Sequence, residues 1–137
     1  MKPQLLPHEA LIYAMVAVAA ADRHISENEI SRINMLVREL PAFRTIDDGW
    51  FGREAQNCGK ILAKPEGVQR VLGLIGESLP SHLRETAYAL AAEVAASDLS
   101  IKDDEKRFLA MLADKLKLDP LVCAALERGA RARHRSA

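Results

Sequence analysis

The sequence predicts an all-α fold, on three observations. Apolar residues recur at helical spacing along the whole chain, and no run alternates as a strand does. Aromatics are only 4% of the 137 residues while Ala and Leu abound, which suits close-packed helices better than a sheet. Pro41, Pro65, Pro80 and Pro120 fall between the periodic segments, where a missing N–H and a fixed φ stop or start helices.

About seven helices follow, near residues 8–22, 26–40, 47–63, 66–79, 81–97, 102–117 and 120–131. The helices at 8–22 and 81–97 are apolar nearly all round (AMVAVAAA, YALAAEVAA), so each is expected to run through the middle of a bundle. Helix 26–40 carries one stripe, Ile30, Ile33, Val37 and Leu40, with Arg32, Asn34, Arg38 and Glu39 elsewhere. Trp50 and Phe51 open the third helix and read either as core anchors or as a docking patch. Gly73 and Gly76 lie within a helical pattern, where they suit a close helix crossing; no Lys-Ser/Thr follows to make a phosphate loop.

Nearly half the residues (49%) are hydrophobic, enough for one core without staples, so residues 1–127 read as a single domain. Residues 128–137 form a basic tail with four Arg and no acid, leaving 15 Lys+Arg against 19 Asp+Glu in residues 1–127, about −4 there. The tail reads as a frayed, solubilising terminus, or as a contact with an anionic surface, lipid headgroups or nucleic acid. The formal net charge of the whole is zero, so nucleic acid is not expected as a main partner. The apolar run from Ala10 to Ala21 is too short to span a bilayer, and a cytoplasmic protein that is not integral to the membrane is expected. Cys58 and Cys123 fit no CxxC spacing and are expected as reduced thiols.

The chain repeats itself. Residues 16–40 and 92–116 align at an offset of 76 with nine identities in 25 positions, among them Asp22/Asp98, Ile25/Ile101 and Glu29/Glu105. Each unit is helix, short acidic turn, helix, and two such hairpins predict a pseudo-twofold bundle; a solenoid would need at least three units.

Ordinary helix chemistry accounts for several of the turn acids. Ser26-Glu27-Asn28-Glu29 is a capping box, with Ile25 and Ile30 as the hydrophobic staple. In the second copy Lys102 and Lys106 replace the cap and staple residues, and Asp103 is expected to take over as the cap. Asp22 and Asp98 are harder to explain, because each closes the C-terminal end of a helix, where the dipole disfavours a carboxylate. Three readings stand: an Asx-turn that sets up the next helix, oxygen ligation of a hard cation with Glu29 and Glu105, or an acidic docking surface. A standard EF-hand is excluded, since the sixth and twelfth positions are Glu27 and Ile33 from Asp22, and Asp103 and Leu109 from Asp98. His8, His24, His82 and His134 make no zinc spacing, and no GxSxG elbow or triad accompanies Ser97 and Ser100, so catalysis is not expected.

On AAADRHISENEI, AASDLSIKDDEKRFLAMLADKL and the following KLDP, the chain resembles the tellurite-resistance TerB family, which includes the TerB-like region of DjlA co-chaperones. The resemblance spans roughly residues 8–125. It departs from the family where Arg23 and Leu99 stand at glycine positions. It implies an all-helical TerB-like fold and a role in tellurite and other chemical stress, with stress-response or membrane-associated protein partners near the inner face of the membrane. It also implies Asp22, Glu29, Asp98 and Glu105 as divalent-cation (Ca²⁺ or Mg²⁺) ligands; the expected mechanism is acidic surface display around the two turns, with Glu27, Asp103 and Asp104 beside those four. The expectation is a non-enzymatic binding module; the alternative is a structural or co-chaperone-type interaction domain whose turn acids only cap helices.

Overall fold

The computed structural model describes residues 5–21, 25–44, 49–98 and 101–137. Within them the chain forms seven α-helices and no strand: α1 (Pro7–Ala19), α2 (Glu27–Glu39), α3 (Trp50–Leu62), α4 (Gly67–Ser78), α5 (Arg84–Ala96), α6 (Asp103–Leu116) and α7 (Pro120–Arg133). Short 3-10 turns at Pro41–Phe43 and Ser81–Leu83 precede α3 and α5. The all-α prediction holds. Among the described residues no helix is long and apolar enough to cross a membrane.

The two alanine-rich helices form the centre. Every residue of α1 from Ala10 to Ala19 is buried, as are Ala87, Tyr88 and all of Leu90–Ala96 in α5. Small side chains on both let α1 and α5 pack directly on each other, and α3, α4 and α7 close around them. The two hairpins interlock: α2 packs on α5 and α6 packs on α1, besides each helix's own partner. The helix starts of α2 and α6 and the end of α5 therefore come together. Crossed packing is the tertiary counterpart of the sequence repeat.

Side chains decide the remaining details. Trp50 is a core residue, 5.0 Å from the His8 ring and 6.3 Å from Phe43, whereas Phe51 is only half-buried. Of the two helical glycines, only Gly76 marks a close crossing: a Cβ there would lie 2.9 Å from Lys115 Cγ, while nothing lies within 4 Å at Gly73. Arg84 binds α6 to α4 at the same place, donating from Nη1 to the Leu116 carbonyl at 3.0 Å and from Nη2 to the Gly76 carbonyl at 3.5 Å. Both cysteines are free and buried, and burial, then the charge of Glu54, pushes the Cys58 thiol up to about 12.

The basic stretch is not a frayed end. α7 continues through Arg133, and Ala130 on it is fully buried. The reason is Glu93, a charged group on α5 that is only 6% exposed. Burial alone would raise its carboxyl, but ion pairing with Arg133 and a 2.9 Å contact to His134 Nε2 hold it below the ordinary value. An unpaired carboxylate at this depth would be costly, so the last turn of α7 is fastened to the core.

The α3–α4 turn makes the sharpest demand on side-chain size. Glu66 there adopts φ 58°, and a Cβ at Gly67 would stand 2.7 Å from Leu62 Cα. Gly67→Ala is expected to destabilise the protein by about 1–3 kcal/mol through overpacking against backbone. Gly73→Ala, in open space inside α4, is expected to stabilise it by about 0.5–1 kcal/mol; urea unfolding of both variants checks the pair.

Candidate functional site: a buried carboxyl pair

Local capping sets the aim of two glutamates. At the start of α2, Ser26 Oγ accepts from the Glu29 amide at 3.1 Å, and the Ser26 amide donates to Glu29 Oε1 at 3.0 Å, completing the predicted capping box. In α6 only half of that box survives. The Lys102 amide donates to Glu105 Oε1 at 3.1 Å, but Lys102 itself is the N-cap and has no acceptor on its side chain. Asp103, expected as the cap, is instead the first helical residue. In both helices the glutamate folds back over its own N-terminus with Oε1 occupied.

Crossed packing then brings the two together. Glu29 and Glu105 are both fully buried, and Oε2 of each has no donor. The carboxyls lie within hydrogen-bonding reach of each other. Two ionised carboxylates offer only acceptors, so neither Oε2 is satisfied until a proton or a cation enters between them. Glu105 is pushed up to about 8 by burial first and by sharing a hydrogen bond with Glu29 second; the Lys102 amide works against the shift. Burial thus favours a proton on Glu105, and a protonated Glu105 is a donor that Glu29 can accept from.

Asp98 answers the question its sequence position raised. It stands just past the C-terminal end of α5, where that helix's dipole disfavours it. Its oxygens, however, face the start of α2: Oδ2 accepts from Ser26 Oγ at 2.8 Å and Oδ1 from Asn28 Nδ2 at 3.1 Å. The carboxylate thus rests on the positive end of a different helix, in the other repeat. Both of its oxygens thus have donors across the repeat boundary, while the residues that would complete a local Asx-turn lie outside the described ones. Ser26 Oγ donates to Asp98 while accepting from Glu29, linking Asp98 to the carboxyl pair.

Of the four residues predicted as cation ligands, the structure joins Glu29 to Glu105 and sets Asp98 one hydroxyl away. Asp22 lies outside the described residues, as do Arg23 and Leu99. Two orphaned, buried carboxyl oxygens suit a hard cation, which takes oxygen ligands. Among the described residues, no group of three or more His, Cys, Asp or Glu side chains is arranged to hold a metal. Glu29 and Glu105 would supply its anionic oxygens.

An apolar groove of about 680 Å³ runs beside this site between α1, α2 and α3, lined by Val16, Ala20, Ile25, Ile30, Phe51 and Leu62 among others. The predicted staple pair, Ile25 and Ile30, forms its rim, each 45% exposed. Periodicity placed Ile30 on the apolar stripe of its helix and Ile25 was read as its staple partner; in the structure both stand at this opening.

A family described as a protein of unknown function, DUF533, matches residues 6–130. The chain belongs to the DUF533 family. That family is TerB-like, consistent with the motifs that carried the resemblance. The match runs from the start of α1 to near the end of α7, so the carboxyl pair and both acidic turns lie inside it. No curated protein and no solved structure matches the chain.

The burial of Glu105 fixes a pH dependence. Glu105 ionises at about 8 in the folded state against an ordinary value of 4.5. Its contribution to stability is therefore fully present below about 4.5 and is lost progressively as pH rises to about 8. Glu105→Gln retains an acceptor for the Lys102 amide and adds a donor for Glu29. It is expected to raise stability at pH 8 by about 1–3 kcal/mol and to flatten the pH dependence between these limits, measured by thermal unfolding across pH. Ser26→Ala removes both the α2 cap and the tie to Asp98 and is expected to cost about 0.5–2 kcal/mol at every pH in that range.

Proposed function

We propose that this DUF533 chain is a non-enzymatic, TerB-like binding module of chemical-stress response, whose two hairpins close on a carboxyl pair that holds either a proton or a divalent cation. The observation that carries the reading is the pairing of Glu29 and Glu105, fully buried, with an unpartnered oxygen on each. A purely structural core gains nothing from two acids without a donor, since well-packed apolar residues would serve at least as well. A pair that exchanges its occupant links the turns to proton or cation concentration. Tellurite-type stress as the setting, and protein partners at the membrane face as the targets, are what the TerB resemblance supports.

Proton and cation compete in this scheme. Ca²⁺ or Mg²⁺ requires both carboxyls ionised, so binding strengthens as pH rises toward about 8, where Glu105 loses its proton. Asp98 holds the turn of one repeat against the helix start of the other and so carries any change at the pair to the surface.

A second reading, an interaction domain without metal, draws on Asp98: both its oxygens already have protein donors. An amide NMR titration with Ca²⁺ and then Mg²⁺ at pH 8 separates the two. The expected result is saturable shifts confined to residues 22–29 and 98–105 in the wild type and absent in Glu105→Gln. A wild-type spectrum that does not move at millimolar metal overturns the cation and leaves the proton as the pair's occupant.

A further inference from the structure

The outward face of α7 joins an apolar end to a basic end. At 100° per residue, Leu121, Ala124, Ala125, Arg128, Arg131 and Ala132 share one arc of roughly 120°, and all six are exposed. Leu121 is 80% exposed, the most open large apolar side chain among the described residues. Arg128, Arg131 and Arg135, the last just beyond the helix, line a single concavity of about 360 Å³ with Ala132. Among the described residues, none of the three has a carboxylate within ion-pair distance. The acid nearest to them in sequence, Glu127, accepts from the Tyr88 hydroxyl at 2.7 Å. Arg133 is on the opposite side and is consumed by Glu93. That clamp fixes the end of the helix and presents the other three guanidinium groups to solvent without a counter-charge. The arc has an apolar end, a basic end and no acid.

We infer that this face is a peripheral docking surface for acidic phospholipid headgroups. Guanidinium groups bind phosphate oxygens through paired N–H donors, and three in a row along an open face match an extended anionic surface rather than one enclosed ion. The exposed Leu121 and the flanking alanines suit the boundary between headgroups and acyl chains, and the arc has no aromatic side chain to serve as a stacking platform for bases. The surface is independent of the carboxyl pair, which lies in the α2 and α6 turns.

The test is co-sedimentation of the full chain with vesicles of phosphatidylcholine alone and of phosphatidylcholine mixed with phosphatidylserine. Binding is expected only to the mixed vesicles and is expected to weaken as salt is raised. Arg128→Gln/Arg131→Gln/Arg135→Gln should lower the partition coefficient on the order of a hundredfold while retaining the wild-type melting temperature, because the Glu93–Arg133 clamp is untouched. Leu121→Ser should weaken binding without altering its salt dependence. Equal binding to both vesicle types, or a triple variant that binds as the wild type does, overturns the inference. So does binding confined to inorganic phosphate, or to a DNA duplex, with none to the mixed vesicles.

Discussion

The close packing of α1 on α5 is the constraint from which the other contacts follow. Both helices are buried almost all round, and alanine on the facing sides lets their backbones approach. Once they are side by side, each outer helix of a hairpin lies within reach of the other hairpin's central helix, and α2 settles on α5 as α6 settles on α1. The two turns are then forced into one neighbourhood. A larger residue in either alanine stripe would push apart the centre and, through it, the carboxyl pair.

That neighbourhood holds a conflict which the fold does not remove. Each capping glutamate satisfies its own helix with Oε1 and leaves Oε2 facing its counterpart. Native cores rarely leave buried acceptors unpaired, and where they do the group tends to be held in reserve for a proton, an ion or a reaction. The contrast with Glu93 is instructive. Glu93 is buried too, yet Arg133 and His134 supply donors and hold it ionised, so it fastens α7 and has no free valence. The three buried glutamates described in this small bundle thus serve opposite ends: Glu93 locks a helix in place, while Glu29 and Glu105 each keep one oxygen without a protein donor.

Asp98 connects these layers. A carboxylate placed at the C-terminal end of its own helix is unfavourable there, but it becomes favourable at the N-terminus of α2, with Ser26 and Asn28 as donors. The interaction crosses the repeat boundary and depends on both hairpins being present in their crossed arrangement. At the cap of α6, Lys102 cannot repeat the hydroxyl's double role of donor and acceptor.

Helical periodicity, the proline joins and the repeat at an offset of 76 fixed the seven helices and their duplication, because local spacing is what sets an amphipathic face and a cap. The capping box at Ser26 and Glu29 was legible for the same reason, being contained within four residues. Pairing of Glu29 with Glu105 was not, nor was the reach of Asp98 to Ser26, since these contacts join residues more than seventy positions apart and depend on how α1 and α5 cross. The basic stretch was misread as frayed because its anchor, Glu93, stands forty residues earlier inside an apolar helix that reads as core. What the sequence by itself determined is the set of elements and the local aim of each side chain. Which side chains meet, and which are left without a partner, was decided only when the two hairpins interlocked, because burial and hydrogen-bond satisfaction are properties of the packed whole.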